Sequence, residues 1–302
     1  MILVTGATGT IGRELVQDLQ ARKVKFKVMV RRAEACAAFE AQGIQPVIGD
    51  FSHPGTFPAV LAGATEVFLL TTPSPDQVRQ EGAFLAACGK AGVRRIVRLS
   101  AQGANPWSAS PLTRSHGLCE AQLEASGMAW TILRPTMFMQ NLAPMYGESV
   151  AETSTFFAPA GDARIPWVDV RDIAALAAVT LTSEGHEGLV YELTGPQLHT
   201  YAGVAELLSA QLGRGVKFVD VPDDAACQSM ANHGMSAWLA HSITTLFHQF
   251  RANAGTAVVL GTVQRITGRP ARTLEAYLQE NLNIFKGVRA ASMARVSTPT
   301  TR

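Results

Sequence analysis

Three glycines, Gly6, Gly9 and Gly12, stand in the stretch Thr5-Gly6-Ala7-Thr8-Gly9-Thr10-Ile11-Gly12, after an apolar run and before a helical pattern. Glycine permits a tight turn and lets backbone approach a pyrophosphate closely. A helix starting there aims free N–H groups and its positive dipole end at phosphate oxygens. Thr8, Gly9, Thr10 and Ile11 supply such amides, so the spacing predicts a dinucleotide site. The end of the second apolar run bears on which dinucleotide. An Asp or Glu there usually bonds the ribose 2′-hydroxyl of NAD. This chain has Arg31 and Arg32 instead, and two guanidinium groups suit a 2′-phosphate. The expected cofactor is NADP(H), with NAD(H) as the alternative; two solvated arginines opening a helix is the plainer reading.

Other candidates follow successive apolar runs. Asp50 can accept from an adenine amino group while Phe51 flanks the ring, and Asp50 serves equally as a helix cap. Thr71 and Thr72 stand at the edge of the expected crevice, or simply begin the next helix. Ser100 ends the fifth run, beside the expected nicotinamide. His116 and Glu120 lie four residues apart and share a helix face. His116 can bond a ribose or substrate oxygen with Glu120 orienting it, and an ordinary surface pair is an even alternative. After the sixth run come Met137, Phe138, Met139, Asn141, Met145 and Tyr146, and then Phe156, Phe157 and Trp167. Methionine and aromatic rings suit an irregular planar ligand, although core packing is the default for each.

The elements that must position these residues alternate. Apolar, β-branched runs at Ile2–Thr5, Phe26–Val30, Ile44–Ile48, Val67–Thr71, Ile96–Ser100 and Trp130–Leu133 are separated by helical patterns at Ile11–Ala21, Ala33–Ala41, Pro75–Ala91 and Leu112–Ser126. Such alternation predicts an α/β fold with a doubly wound parallel Rossmann sheet. Its dinucleotide domain is expected over 1–143, with 168–195 returning to the sheet through a helix at Val170–Thr182 and a strand at Val190–Thr194. Residues 144–167, rich in Pro, Gly and aromatics, read as loop. With 196–286 they form a smaller, mostly helical C-terminal substrate lobe containing a strand near Val216–Val221. Met235, Trp238, Phe247 and Phe250 there can roof a pocket, pack that lobe or meet a second copy of the chain. Asp169 and Asp172 are expected to cap and anchor a helix. The segment 287–302 is expected to be a flexible tail.

Bulk properties narrow the function. A formal net charge of +2 over 302 residues gives no electrostatic case for nucleic acid or membrane. Cys36, Cys88, Cys119 and Cys227 form no C-x-x-C pair, and the histidines show no ligand spacing, so no metal site or disulfide framework is expected. With no signal peptide or spanning run, the expected location is the cytoplasm.

Five stretches together resemble the NmrA-like branch of the atypical short-chain dehydrogenase/reductase superfamily. They are residues 5–12, Val30-Arg31-Arg32, Gly49-Asp50-Phe51, Ile132-Leu133-Arg134-Pro135 and Asp169-Val170-Arg171-Asp172-Ile173-Ala174. His116 with Glu120, Phe138 to Asn141, and Gly185 to Gly195 are similar to the NAD(P)H:quinone reductase and triphenylmethane or azo-dye reductase subgroup. That resemblance implies hydride transfer from NADPH to a quinone or related planar aromatic acceptor. Ordinary members of the superfamily use a Tyr-x-x-x-Lys pair to protonate an alkoxide; Ser115 to Glu120 offers neither residue. A quinone needs little proton donation, because the oxyanion formed is delocalised. Two other readings stay open, a tailoring enzyme on an aromatic polyketide-like intermediate and a non-catalytic NADP(H) sensor that regulates a partner protein.

Overall fold

A computed structural model describes residues 1–252 and 257–288. The chain begins β1 (Ile2–Val4), α1 (Thr10–Ala21), β2 (Phe26–Val30), α2 (Cys36–Glu40), β3 (Gln45–Ile48), α3 (Phe57–Leu61), β4 (Glu66–Leu69), α4 (Gln77–Lys90), β5 (Arg95–Leu99), α5 (Pro111–Glu124) and β6 (Ala129–Pro135). It leaves the sheet as α6 (Leu142–Thr153) and β7 (Thr155–Ala158), then returns as α7 (Val170–Thr182) and β8 (Leu189–Leu193). It ends with α8 (Tyr201–Leu212), β9 (Lys217–Asp220), α9 (Asp223–Asn232), α10 (Ala237–Ala252), α11 (Thr262–Thr267), α12 (Leu274–Glu280) and α13 (Leu282–Phe285).

Seven parallel strands form the main sheet in the order β3-β2-β1-β4-β5-β6-β8. The order reverses between β1 and β4, and a crevice opens at the carboxyl ends of strands at such a switch point. Strands buried on both faces need apolar residues on both. Val4, Val28, Val97 and Leu133 pack with Leu15, Leu19, Ile173 and Leu176 from α1 and α7. Leu3, Val67, Ile96 and Ile132 share the opposite core with Phe57, Phe84 and Leu123 from α3, α4 and α5. A third core holds Tyr146, Phe156, Trp167, Tyr201, Phe247, Leu278 and Phe285.

The segment 144–166 departs from the loop reading. It contains most of α6 and all of β7, which pairs in parallel with β9. Pro144 lies in the first turn of α6, where no intrahelical N–H is required. Gly147 faces α13, where an added Cβ would lie 2.6 Å from Ile284 Cγ2. The residues that look like breakers therefore serve a helix start and a close helix contact. The helix expected over Ala33–Ala41 is a 3₁₀ turn, Ala33–Ala35, running into α2. Only Phe39 is buried there, so little packing enforces one helical geometry.

Asp169 caps α7 by accepting from Arg171 N at 2.8 Å, and Arg171 bridges it to Glu280 at 2.8 Å. Asp172 accepts from Arg272 N at 2.8 Å and also binds that guanidinium. These ties fasten α7 to the segment that carries α12. The expectation for the tail falls almost wholly on 289–302, outside the described residues. Among the described residues, no helix is long and apolar enough to cross a membrane.

Candidate functional site

The glycine turn is built around Thr5. Its hydroxyl donates to Phe68 O at 3.0 Å and accepts from Leu70 N at 2.8 Å, which locks the ends of β1 and β4 together. Gly6 has φ +66°, and a Cβ there would lie 2.8 Å from Leu70 Cγ. At Gly12 a Cβ would lie 2.1 Å from Gly6 O, so α1 rests directly on its own loop. Gly9 N donates to Gly6 O at 2.9 Å, and the first helical bond joins Arg13 N to Gly9 O. No side chain caps α1 and its first turn holds no acid. The amides of Thr10, Ile11 and Gly12 are thus left to an external acceptor, with exposed Thr8 at the rim. Further along the crevice, after β6, the buried Thr136 hydroxyl has no partner. A bare helix start, a turn that side chains would fill and an orphaned buried hydroxyl fit an extended dinucleotide.

At the adenosine end, Arg31 and Arg32 are both exposed. Asp50 Oδ1 accepts from Ser52 N and Ser52 Oγ, each at 2.8 Å. These bonds, first that from the backbone, hold its carboxyl below the usual range despite partial burial, with help from His53 and Arg31. Asp50 therefore shapes the turn after β3, and one oxygen is already engaged there. Phe51 packs edge-on against Phe84, with centroids 5.0 Å apart, and stays half-buried.

The middle of the crevice is backed by a buried polar layer that strand periodicity did not disclose. Thr71 turns inward and donates to Glu81 Oε1 at 2.5 Å, leaving exposed Thr72 at the surface. Glu81 also accepts from Gln77 at 3.0 Å and from Arg98 Nε at 2.7 Å. Arg98 Nη2 then faces His116 Nδ1 at 3.3 Å. The one sequence signal was Arg98 itself, a cation inside the apolar run of β5.

His116 and Glu120 do share a face of α5 and both are buried, but Glu120 does not orient His116. It accepts from Arg134 at 3.0 and 2.5 Å and also from the Ser100 hydroxyl. Arg98 can only donate, so His116 Nδ1 accepts and the ring proton resides on Nε2. Burial, then the Arg98 charge, push the His116 pKa down to about 3, against a weaker opposing pull from Glu81. The imidazole should therefore stay neutral in the Nε2–H tautomer from pH 8 down to about 5. Nitrogen-15 imidazole shifts would read this, and a titration step between those limits would contradict the arrangement.

The acceptor-side candidates separate. Met137 and Phe138 are half-buried after β6, and Asn141 is exposed at the start of α6. Met139 and Tyr146 are enclosed in the third core, as are Phe156 and Trp167, so they wall no open pocket. Phe157 points outward from β7, 51% exposed. Of the lobe aromatics, Phe247 is core and Phe250 lines a cavity. That cavity, about 460 Å³, lies past the ends of β5 and β6 and is lined by Gln102, Asn105, Arg164, Glu192, Gln249 and Phe250, among others. Its β5–α5 loop is held firmly. Gln102 N donates to Pro135 O at 2.8 Å, Gln249 Nε2 donates to Ser108 Oγ at 3.0 Å, and Gly117 lets residues 105 and 106 lie against α5. Sequence reasoning missed this wall because it comes from loop and lobe residues without a shared motif.

Comparison with known proteins agrees with this geometry. Residues 6–183 match a family model described as NAD(P)H-binding. The chain is 41% identical over 285 residues to the NAD(P)H azoreductase of Xenophilus azovorans, spanning 94% of this chain and 99% of that one. It is 34% identical over 289 residues to a (4-alkanoyl-5-oxo-2,5-dihydrofuran-3-yl)methyl phosphate reductase of Streptomyces griseus, again spanning 94% and 99%. The crystal structure of the NADPH-dependent quinone oxidoreductase QOR2 of Escherichia coli, complexed with NADPH, superposes with a TM-score of 0.85 at 26% identity, covering 94% of this chain and 100% of that one. Fold, glycine cradle and relatives together show that the chain belongs to the NAD(P)H-binding family, with an NAD(P)H azoreductase among its relatives.

Proposed function

We propose that the protein is an NADPH-dependent reductase that passes hydride to a quinone or related planar aromatic acceptor. The observation that carries this reading is the bare start of α1 on its glycine turn, with a 460 Å³ cavity lined by Leu246 and Phe250 past the ends of β5 and β6. The amides of Thr10, Ile11 and Gly12 would hold the pyrophosphate and Arg31 with Arg32 the 2′-phosphate. Phe51 would flank the adenine. Ser100 Oγ, its proton committed to Glu120, acts only as an acceptor, while His116 Nε2 donates; both suit the ribose and nicotinamide end. Thr136 Oγ1 is free to bond the carboxamide there. When bound, the reduced nicotinamide supplies the hydride.

His116 is neutral, so it does not deliver a proton readily. A quinone tolerates that, because its developing oxyanion spreads into an aromatic ring. Leu246 and Phe250 provide apolar surface in the cavity, and the firmly held β5–α5 loop fixes the acceptor's approach. A tailoring reductase of a biosynthetic intermediate is the second reading, favoured by the Streptomyces griseus relative, which is named for a phosphate ester.

The purified protein should oxidise NADPH in the presence of para-naphthoquinone. Replacing Arg31 and Arg32 together by serine should raise KM for NADPH roughly ten- to a hundredfold, as expected for lost hydrogen bonds to a charged group, while KM for NADH barely moves. Tight NADPH binding without turnover of any quinone would exclude the reductase reading. An equal loss with both cofactors would remove the two arginines from the 2′-phosphate site.

A further inference from the structure

Building on the reductase reading, we propose that the physiological acceptor is an anionic planar molecule and that Arg164 selects it by pairing with a sulfonate, carboxylate or phosphate carried on the ring system. Arg164 lies between β7 and α7 and lines the acceptor cavity with Phe250 and Leu246. Its backbone is held before it, where Ala163 N donates to Ala160 O at 3.0 Å, and after it. Ile165 N donates to His199 O at 2.9 Å and His199 N returns a bond to Ile165 O at 3.1 Å. Gly195 N donates to Pro166 O at 2.9 Å. The side chain therefore rises from a fixed base.

Most arginines around the polar layers of this molecule are already paired. Arg98 holds Glu81, Arg134 holds Glu120, Arg171 holds Asp169, Arg251 holds Asp223 and Arg272 holds Asp172. Among the described residues, Arg164 makes no ion pair. The cavity's own acid, Glu192, faces Arg134 at 3.9 Å. Arg164 is thus the cation of this cavity without an internal counter-ion.

A guanidinium offers a planar fork of donors that fits an oxyanion with two parallel hydrogen bonds. Phe250 and Leu246 supply the apolar surface that a ring system needs, and the side-chain amides of Gln102, Asn105 and Gln249 can satisfy carbonyl or hydroxyl substituents. A neutral quinone would leave the Arg164 charge at the cavity wall with only water. A charged ring would use it.

The test compares para-naphthoquinone with its ring-sulfonated derivative in steady-state NADPH oxidation by the full-length protein. Because Arg164 is exposed, the native protein should favour the sulfonate by about three- to fivefold in kcat/KM, the worth of one charge pair at a solvent-facing site. Arg164→Gln should bring that ratio close to one, and Arg164→Lys should restore part of it. An unchanged ratio in Arg164→Gln, or no preference in the native protein, overturns the proposal. Calorimetry with naphthalene sulfonate, which cannot be reduced, in the presence of NADP⁺ gives a readout independent of turnover. Binding that vanishes in Arg164→Gln supports the proposal even if no quinone reacts. Absence of binding to the native protein refutes it even if the neutral quinone is reduced.

Discussion

Gly12→Ala should weaken NADPH binding by at least about a hundredfold, equivalent to roughly 3 kcal/mol. The added methyl would lie 2.1 Å from Gly6 O and 2.7 Å from Ala7 Cα. Both are backbone atoms of the phosphate turn, so no rotamer change relieves the clash. Either α1 moves away from β1 or the turn opens, and in both cases the helix-start amides lose their convergence. Overpacking of this kind also costs about 1–3 kcal/mol of stability, so the melting temperature should fall while the circular dichroism spectrum keeps its α/β form. Gly9→Ala is the internal control, because its methyl meets only Gly6 O, at 3.2 Å. It should lose distinctly less affinity. Calorimetric titration separates the two variants, and native-like NADPH affinity in Gly12→Ala would refute the placement of the pyrophosphate on this turn.

The second large effect belongs to the buried pair behind the crevice. Arg98→Met should destabilise the protein by about 3–5 kcal/mol, since it strands the Glu81 carboxylate in a dry layer. The double variant Glu81→Leu/Arg98→Met should recover much of that loss, because no uncompensated charge remains. Burial alone would raise the Glu81 pKa, but the Arg98 charge and the bonds from Arg98, Thr71 and Gln77 outweigh it and hold the carboxyl below its ordinary 4.5. A depressed carboxyl contributes stability that is complete above the unfolded value and disappears as pH falls through the folded one. The stability gap between native protein and Arg98→Met should therefore be widest near neutral pH and narrow below about 4. Urea unfolding at several pH values measures this, and a gap that is constant with pH would deny the pair its ionised state. Arg98→Met also removes the donor that holds His116 Nδ1, so the NADPH-side kinetics should suffer together with the fold.

The glycine turn and all seven strands of the main sheet could be read from the chain because each obeys a local rule. Continuous apolar runs mark strands covered on both faces, and Gly6 to Gly12 recur at the spacing of a phosphate turn. Elsewhere, local rules misled. Pro144 and Gly147 look like breakers, yet one occupies a helix start and the other makes room for Ile284. Spacing placed His116 and Glu120 on one face but could not name their partners, because Arg98 and Arg134 arrive from β5 and β6 across the layer. Thr71 follows the same logic, since its inward turn is decided by Glu81 on α4. The cavity around Arg164 was least visible, as it is assembled from segments far apart in sequence.

The late arrival of β8 has a consequence for biosynthesis. During translation, β6 emerges as the provisional boundary of the sheet, with one hydrogen-bonding edge open. Its final neighbour is made only after the excursion through α6, β7 and α7. An unpaired edge of this kind invites wrong strand partners, and pairings distant in sequence close slowly. The newborn chain on the ribosome therefore passes through a stage in which the phosphate turn is already complete while the sheet still lacks its last strand.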